Sequence, residues 1–119
     1  MKPGKLALLR FPYVDLDEGK LRPVLLIARV PGDYPDWLVA MVSSRVEQAT
    51  PGFDEIIREE DPDFPASGLK GSSVMRIGRL AVAKAELLLG AIGEISDERL
   101  NRVCRAICDW MLGKTPTSS

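Results

Sequence analysis

Two apolar runs constrain this chain more than anything else in it. Val24-Leu25-Leu26-Ile27-Ala28 sits inside a stretch from Arg22 to Val30, and Leu38-Val39-Ala40-Met41-Val42 sits inside one from Trp37 to Ser44. A strand with one wet face alternates apolar and polar residues; a continuous run rich in branched side chains is hidden on both faces. Both runs therefore read as strands buried on both faces. Pro23 falls at the start of the first run, where a missing N–H does least harm to a ladder. Between the runs, Pro31-Gly32-Asp33-Tyr34-Pro35-Asp36 is a loop.

Further strands flank this pair. Lys5 to Phe11 reads as a strand closed by Pro12, and the polar stretch Asp15 to Lys20 then forms a loop. Phe53 to Arg58 is a short fourth strand, and Asp61 to Gly71, with two prolines and two glycines, is a long surface loop. Ser73 to Ile77 is a fifth strand. The following stretch is ambiguous by propensity and is read as a brief helical turn near Ala83–Glu86, then a glycine-bent strand from Leu87 to Ile95. Ser96 is a good N-cap, with Asp97 and Glu98 placed to favour the positive helix N-terminus. Leu100, Val103, Cys104, Ile107 and Met111 then recur at spacings of three and four, with Arg99, Arg102, Arg105 and Asp109 on the other side, and Gly113 stops the helix. Five or six strands and one packed helix predict a mainly β fold with a C-terminal helix (α+β), a small SH3-like, partly closed antiparallel barrel.

At 119 residues the chain is one domain, expected over residues 1–113 with a flexible tail at 114–119. No apolar stretch approaches the ~18 residues a membrane span needs, and Met1-Lys2-Pro3-Gly4-Lys5 does not open a signal peptide, so a cytoplasmic protein with no membrane partner is expected. The chain has no histidine and two cysteines, Cys104 and Cys108, four apart on a helix. That excludes imidazole acid–base catalysis and a thiolate or imidazole zinc site, and it leaves the thiols as free, buried groups. A net charge of −1 argues against coating nucleic acid by bulk charge. Six acids are concentrated in Asp54–Asp63 beside a lone Arg58, which leaves eleven of the seventeen acids and fifteen of the sixteen bases elsewhere. A local basic groove is compatible with that distribution. The acidic stretch reads as a solvated loop or, alternatively, as a repulsive gate.

Chemistry is concentrated at strand ends. Arg22 leads the first apolar run and Ser43-Ser44 ends the second, beside the loop Phe11-Pro12-Tyr13-Val14-Asp15. A guanidinium fork can hold two phosphate oxygens at once, and a hydroxyl can donate to a third. The plainer readings are a solvated strand end for Arg22 and a turn-forming hydroxyl for Ser43.

This layout closely resembles the MazF/PemK family of toxin endoribonucleases from bacterial toxin–antitoxin pairs. Arg22-Pro23-Val24 matches the family's Arg-Pro-Val motif, Val42-Ser43-Ser44 its Ile-Thr-Ser or Ile-Ser-Ser, and Phe11 to Asp15 its Phe-Pro-Phe-Thr-Asp. Gly68-Leu69-Lys70 followed by Ser72-Ser73-Val74-Met75-Arg76 resembles its Gly-Leu-Lys…Pro-Ser-Val-Val-Arg segment, with Ser72 for a frequent proline; this segment is assigned to the fold and the groove wall. The resemblance covers about residues 4 to 112. It implies the same barrel, acting as a homodimer, and cofactor-free, metal-independent cleavage of single-stranded mRNA. In that reaction the 2′-hydroxyl attacks its own phosphate, giving 2′,3′-cyclic phosphate and 5′-hydroxyl ends. It implies catalytic roles for Arg22 and Ser43, and a cognate antitoxin as protein partner. Arginine stays protonated, so Arg22 suits charge stabilisation; Asp15 is the candidate base, or only shapes its loop. Recognition of splayed bases by stacking and charge points to Phe11, Pro12, Tyr13, Lys20, Ser44 and Arg45 as RNA-binding residues. The alternative is a non-enzymatic barrel module of the same fold, a relaxed PemK-like or gyrase-inhibitor-like protein.

Overall fold

The computed structural model describes residues 1–10 and 21–114. Six strands, β1 (Lys5–Arg10), β2 (Leu21–Arg29), β3 (Asp36–Ser43), β4 (Glu55–Ile57), β5 (Ser73–Lys84) and β6 (Leu88–Glu94), form one sheet in the order β4-β5-β3-β2-β1-β6. Every pairing is antiparallel. A short helix α1 (Phe64–Ser67) lies between β4 and β5, and α2 (Asp97–Met111) ends the described chain. This is the expected mainly β fold with a C-terminal helix. Its sheet is not closed: β4 and β6 are the two edges.

The continuous apolar runs behave as their composition requires. On β2, Leu25 and Ile27 join Leu6, Ala40 and Val42 in a core that α2 covers with Val103 and Ile107. Val24 and Leu26 point the other way, into a second cluster with Ala7, Leu9, Trp37 and Val39. Period-two alternation thus sends neighbouring residues of one strand into two separate cores. No helix among the described residues is long and apolar enough to cross a membrane.

Three expectations are corrected. The loop expected over 61–71 contains α1, whose last residue, Ser67, is fully buried and donates its hydroxyl to the Phe64 carbonyl at 2.6 Å. This turn packs directly on β6. A Cβ at Gly93 would collide with the Ala66 and Ser67 backbone, and one at Gly68, whose φ is +73°, would collide with the Ile92 carbonyl. Only glycine permits that approach. Second, β5 does not stop at Ile77 but continues to Lys84 along β3, so the helical turn falls later, at Ala85–Leu87. The pattern was hidden because the register jumps from Met41↔Arg76 to Ala40↔Leu80, and such a bulge breaks the alternation. Third, Met111 is exposed and Arg99 is buried, the reverse of the helical stripe. Ser96 does cap α2, accepting from the Arg99 amide at 3.2 Å.

Candidate active site

Arg22 and Ser43 are brought together by sheet register. Val24 faces Met41 across β2 and β3, so two residues further along each strand Arg22 and Ser43 share one face at one end of the sheet. They line a common cleft of about 610 Å³ with Pro23, Gln48, Arg76 and Arg79. Arg22 and Arg79 are exposed and Arg76 is half-buried. Among the described residues, the cleft is therefore lined by three guanidinium groups and no carboxylate.

Ser43 is half-buried, and its Oγ accepts from the Arg45 amide at 3.1 Å. The turn-forming role is thus real. A hydroxyl keeps its own proton to donate, so the same group can still reach an anion. Ser44 and Arg45 are exposed on the turn beyond β3 and are not part of the cleft lining. Phe11, Pro12, Tyr13, Asp15 and Lys20 lie outside the described residues.

Arg76 comes from the segment assigned to the groove wall, and it does form one. Its Nε lies 3.3 Å from Asp54 Oδ2, an ion pair in which the buried N–H completes no hydrogen bond. Gln48 and Arg79 were missed in the sequence. The available signal was Arg76-Ile77-Gly78-Arg79, two cations around a glycine inside a strand, which is the usual mark of a bulge. Nothing local singles out Gln48, which a 3₁₀ turn, Val46–Gln48, carries to the rim.

A second concavity, of about 650 Å³, is built from the acidic stretch and the start of α2. Here the expectation of a solvated loop or gate is corrected. Arg99 donates to Asp63 from Nε at 2.8 Å, to Glu55 and the Ile56 carbonyl from Nη1, and to Asp61 and Asp63 from Nη2. Asp63 also accepts from the Ser96 amide, so one carboxylate holds both the cap and the clasp of α2. The Arg99 guanidinium keeps the Asp63 carboxyl well below the usual carboxylate range, against the effect of burial. Asp61 is lowered as well, first by its bond from the Arg58 amide. Burial alone would lower the pKa of Arg99, yet its carboxylate partners raise it. The guanidiniums of Arg99 and Arg102 are both answered by acceptors of the same chain. Such a cluster holds the fold together and offers little to a ligand.

Both thiols are free; Cys104 is half-buried, its pKa pushed up by burial and by Cys108, so it is a poor nucleophile. Among the described residues, no group of three or more His, Cys, Asp or Glu side chains is arranged to hold a metal ion.

Comparison with known proteins bears on what such a cleft is for. The family of PemK-like, MazF-like toxins of type II toxin–antitoxin systems matches residues 2–111. No curated protein matches the chain. Among solved structures, the Mycobacterium tuberculosis toxin MazF-mt6 superposes with a TM-score of 0.65 at 17% identity, covering 90% of this chain and 95% of that one. An endoribonuclease in complex with its cognate antitoxin, from a mycobacterial species, gives 0.61 at 16% identity, covering 95% of each chain. At these identities the superpositions establish the shared fold.

Proposed function

Because the chain belongs to the PemK-like, MazF-like toxin family of type II toxin–antitoxin systems, we propose that it is the toxin of such a pair and cleaves single-stranded RNA. The observation that carries this reading is the shared cleft: Arg22 and Ser43, far apart in sequence, line it with two further arginines. Backbone cleavage by the 2′-hydroxyl passes through a phosphorane bearing extra negative charge. A preorganised guanidinium aimed at that charge is the kind of group that stabilises it. Arg22 holds the equatorial oxygens, Ser43 donates its hydroxyl proton to one of them, and Arg76 and Arg79 neutralise the cleft. No step in this scheme requires a metal ion. As the bond from phosphorus to the 5′-oxygen breaks, that oxygen takes a proton from water, and the products are a 2′,3′-cyclic phosphate and a 5′-hydroxyl. Asp15 is the proposed base, from the loop with Phe11, Pro12, Tyr13 and Lys20, which would stack and hold bases; Ser44 and Arg45 extend the contact beyond the cleft.

The two superposed proteins support the wider proposal, one being a toxin and the other an endoribonuclease with an antitoxin bound. On this reading the chain acts in the cytoplasm as a homodimer, residues 1–113 forming the unit and 114–119 a tail, and a cognate antitoxin silences it. A second reading, a binding module without catalysis, is favoured by one contact, the Arg45 amide already bonded to Ser43 Oγ. Incubation with a mixed-sequence oligoribonucleotide in EDTA, followed by end-group analysis, separates the two. Cyclic phosphate and 5′-hydroxyl ends support the enzyme; intact RNA from a folded, antitoxin-free protein overturns it.

A further inference from the structure

Asp54 stands out among the acids of its stretch because it pairs with Arg76 of the cleft wall and not with Arg99. Its side chain is 2% exposed. Oδ2 accepts from the Thr50 amide at 2.9 Å and pairs with Arg76 Nε, while Oδ1 accepts from the Ile77 amide at 2.9 Å. Ile77 is the first residue of the β5 bulge, the point where the ladder with β3 breaks off after Arg76 and resumes at Leu80. A backbone N–H released from a ladder needs another acceptor when buried, and Asp54 supplies it. The bulge is also what sets Gly78 and Arg79 on the cleft wall.

We propose that Asp54 is the positioning residue of the cleft, orienting Arg76 by its carboxylate and holding Arg79 through the base of the bulge. This rests on the reading of the cleft as an RNA site. Several features separate the pair from an ordinary surface ion pair. The carboxylate is buried, both its oxygens are anchored by backbone amides, and so it cannot swing to follow the arginine. A fixed anion at Nε restricts the guanidinium fork to one approach and leaves its terminal nitrogens for an oxyanion in the cleft. Oriented in advance, Arg76 loses less freedom when phosphate arrives. The incomplete N–H···O geometry at 3.3 Å is consistent with a contact that tightens when the cleft is filled.

Asp54→Asn tests this: the amide keeps an oxygen for the Ile77 N–H and loses the charge beside Arg76, but its NH2 can no longer accept from the Thr50 amide, so thermal melting first establishes that the variant is folded. Two readouts are needed. In ¹⁵N NMR, the Arg76 Nε–H signal, assigned by its loss in Arg76→Lys, is expected to be sharp and slow to exchange in the wild type. In Asp54→Asn it should exchange at least tenfold faster. In cleavage assays Asp54→Asn is expected to lower kcat about tenfold with KM changed less than threefold, and to add nothing in an Arg76→Ala background. An unchanged Nε–H signal in Asp54→Asn, or losses that multiply in the double variant, overturns the proposal. A wild type that cleaves no RNA, yet shows the expected change in Nε–H exchange, removes the enzymatic reading and leaves the positioning role standing.

Discussion

Arg99 and Arg22 are the same residue type put to opposite uses, and their surroundings explain why. Arg99 is 5% exposed and meets Asp63, Glu55 and Asp61 within 3.0 Å. Arg22 is exposed on a cleft that Arg76 and Arg79 also line. A buried guanidinium surrounded by carboxylates is already neutralised and ties α2 to the β4–α1 segment. Guanidiniums that converge on an open concavity can offer several donors to one anion. Such convergence is thus the mark of an anion site, and a guanidinium enclosed by carboxylates the mark of a clasp.

Substitutions should separate the two roles. The largest effect is expected for Arg22→Ala, which should lower RNA cleavage by ~10² or more while leaving the melting temperature close to wild type. Comparable cleavage by the folded variant would remove Arg22 from the mechanism and end the contrast. Arg99→Met should do the reverse, destabilising by about 3 kcal/mol because Asp61 and Asp63 lose the guanidinium they share and Glu55 keeps Arg102, with activity kept in whatever fraction stays folded. Denaturant titration of both proteins measures it, and an unchanged midpoint would show that the clasp is not structural.

Acid should attack the clasp before the cleft. Asp63 has a folded-state pKa held below its ordinary 3.8, so its contribution is complete above that value and is lost as pH falls from there toward the folded pKa. A loss on the order of 2 kcal/mol is expected below about pH 4, and a smaller one in Arg99→Met, where Asp63 keeps the Ser96 amide but not the guanidinium. A variant as acid-sensitive as the wild type would place the sensitivity elsewhere. Smallest is Ser96→Ala, which removes the cap next to the clasp and should cost about 1 kcal/mol by thermal melting without altering cleavage.

Much of this contrast was legible in the chain, and the rest was not, for reasons tied to particular residues. The runs at Val24–Ala28 and Leu38–Val42 announced two strands buried on both faces, because such burial leaves no polar position to alternate. Ser96 announced a helix start because capping is local. Arg22 and Ser43 were visible as strand-end groups, and their meeting followed from hairpin register. Arg99 was misread because helical periodicity judges a residue by its own neighbours. Its partners Glu55, Asp61 and Asp63 lie 36 to 44 positions away. The bulge at Ile77–Arg79 escaped for a similar reason, since it is anchored from Asp54, 23 residues earlier.

By itself, then, the sequence determined the elements, the double-sided burial of β2 and β3, and the strand ends at which reactive groups sit, because these depend on periods of two and 3.6 and on caps within a turn. Only the tertiary structure decided which charges neutralise one another and which are left facing a shared cleft. Coulombic partners are chosen by distance in space, and that distance exists only once α2 and the β4–α1 segment have packed together.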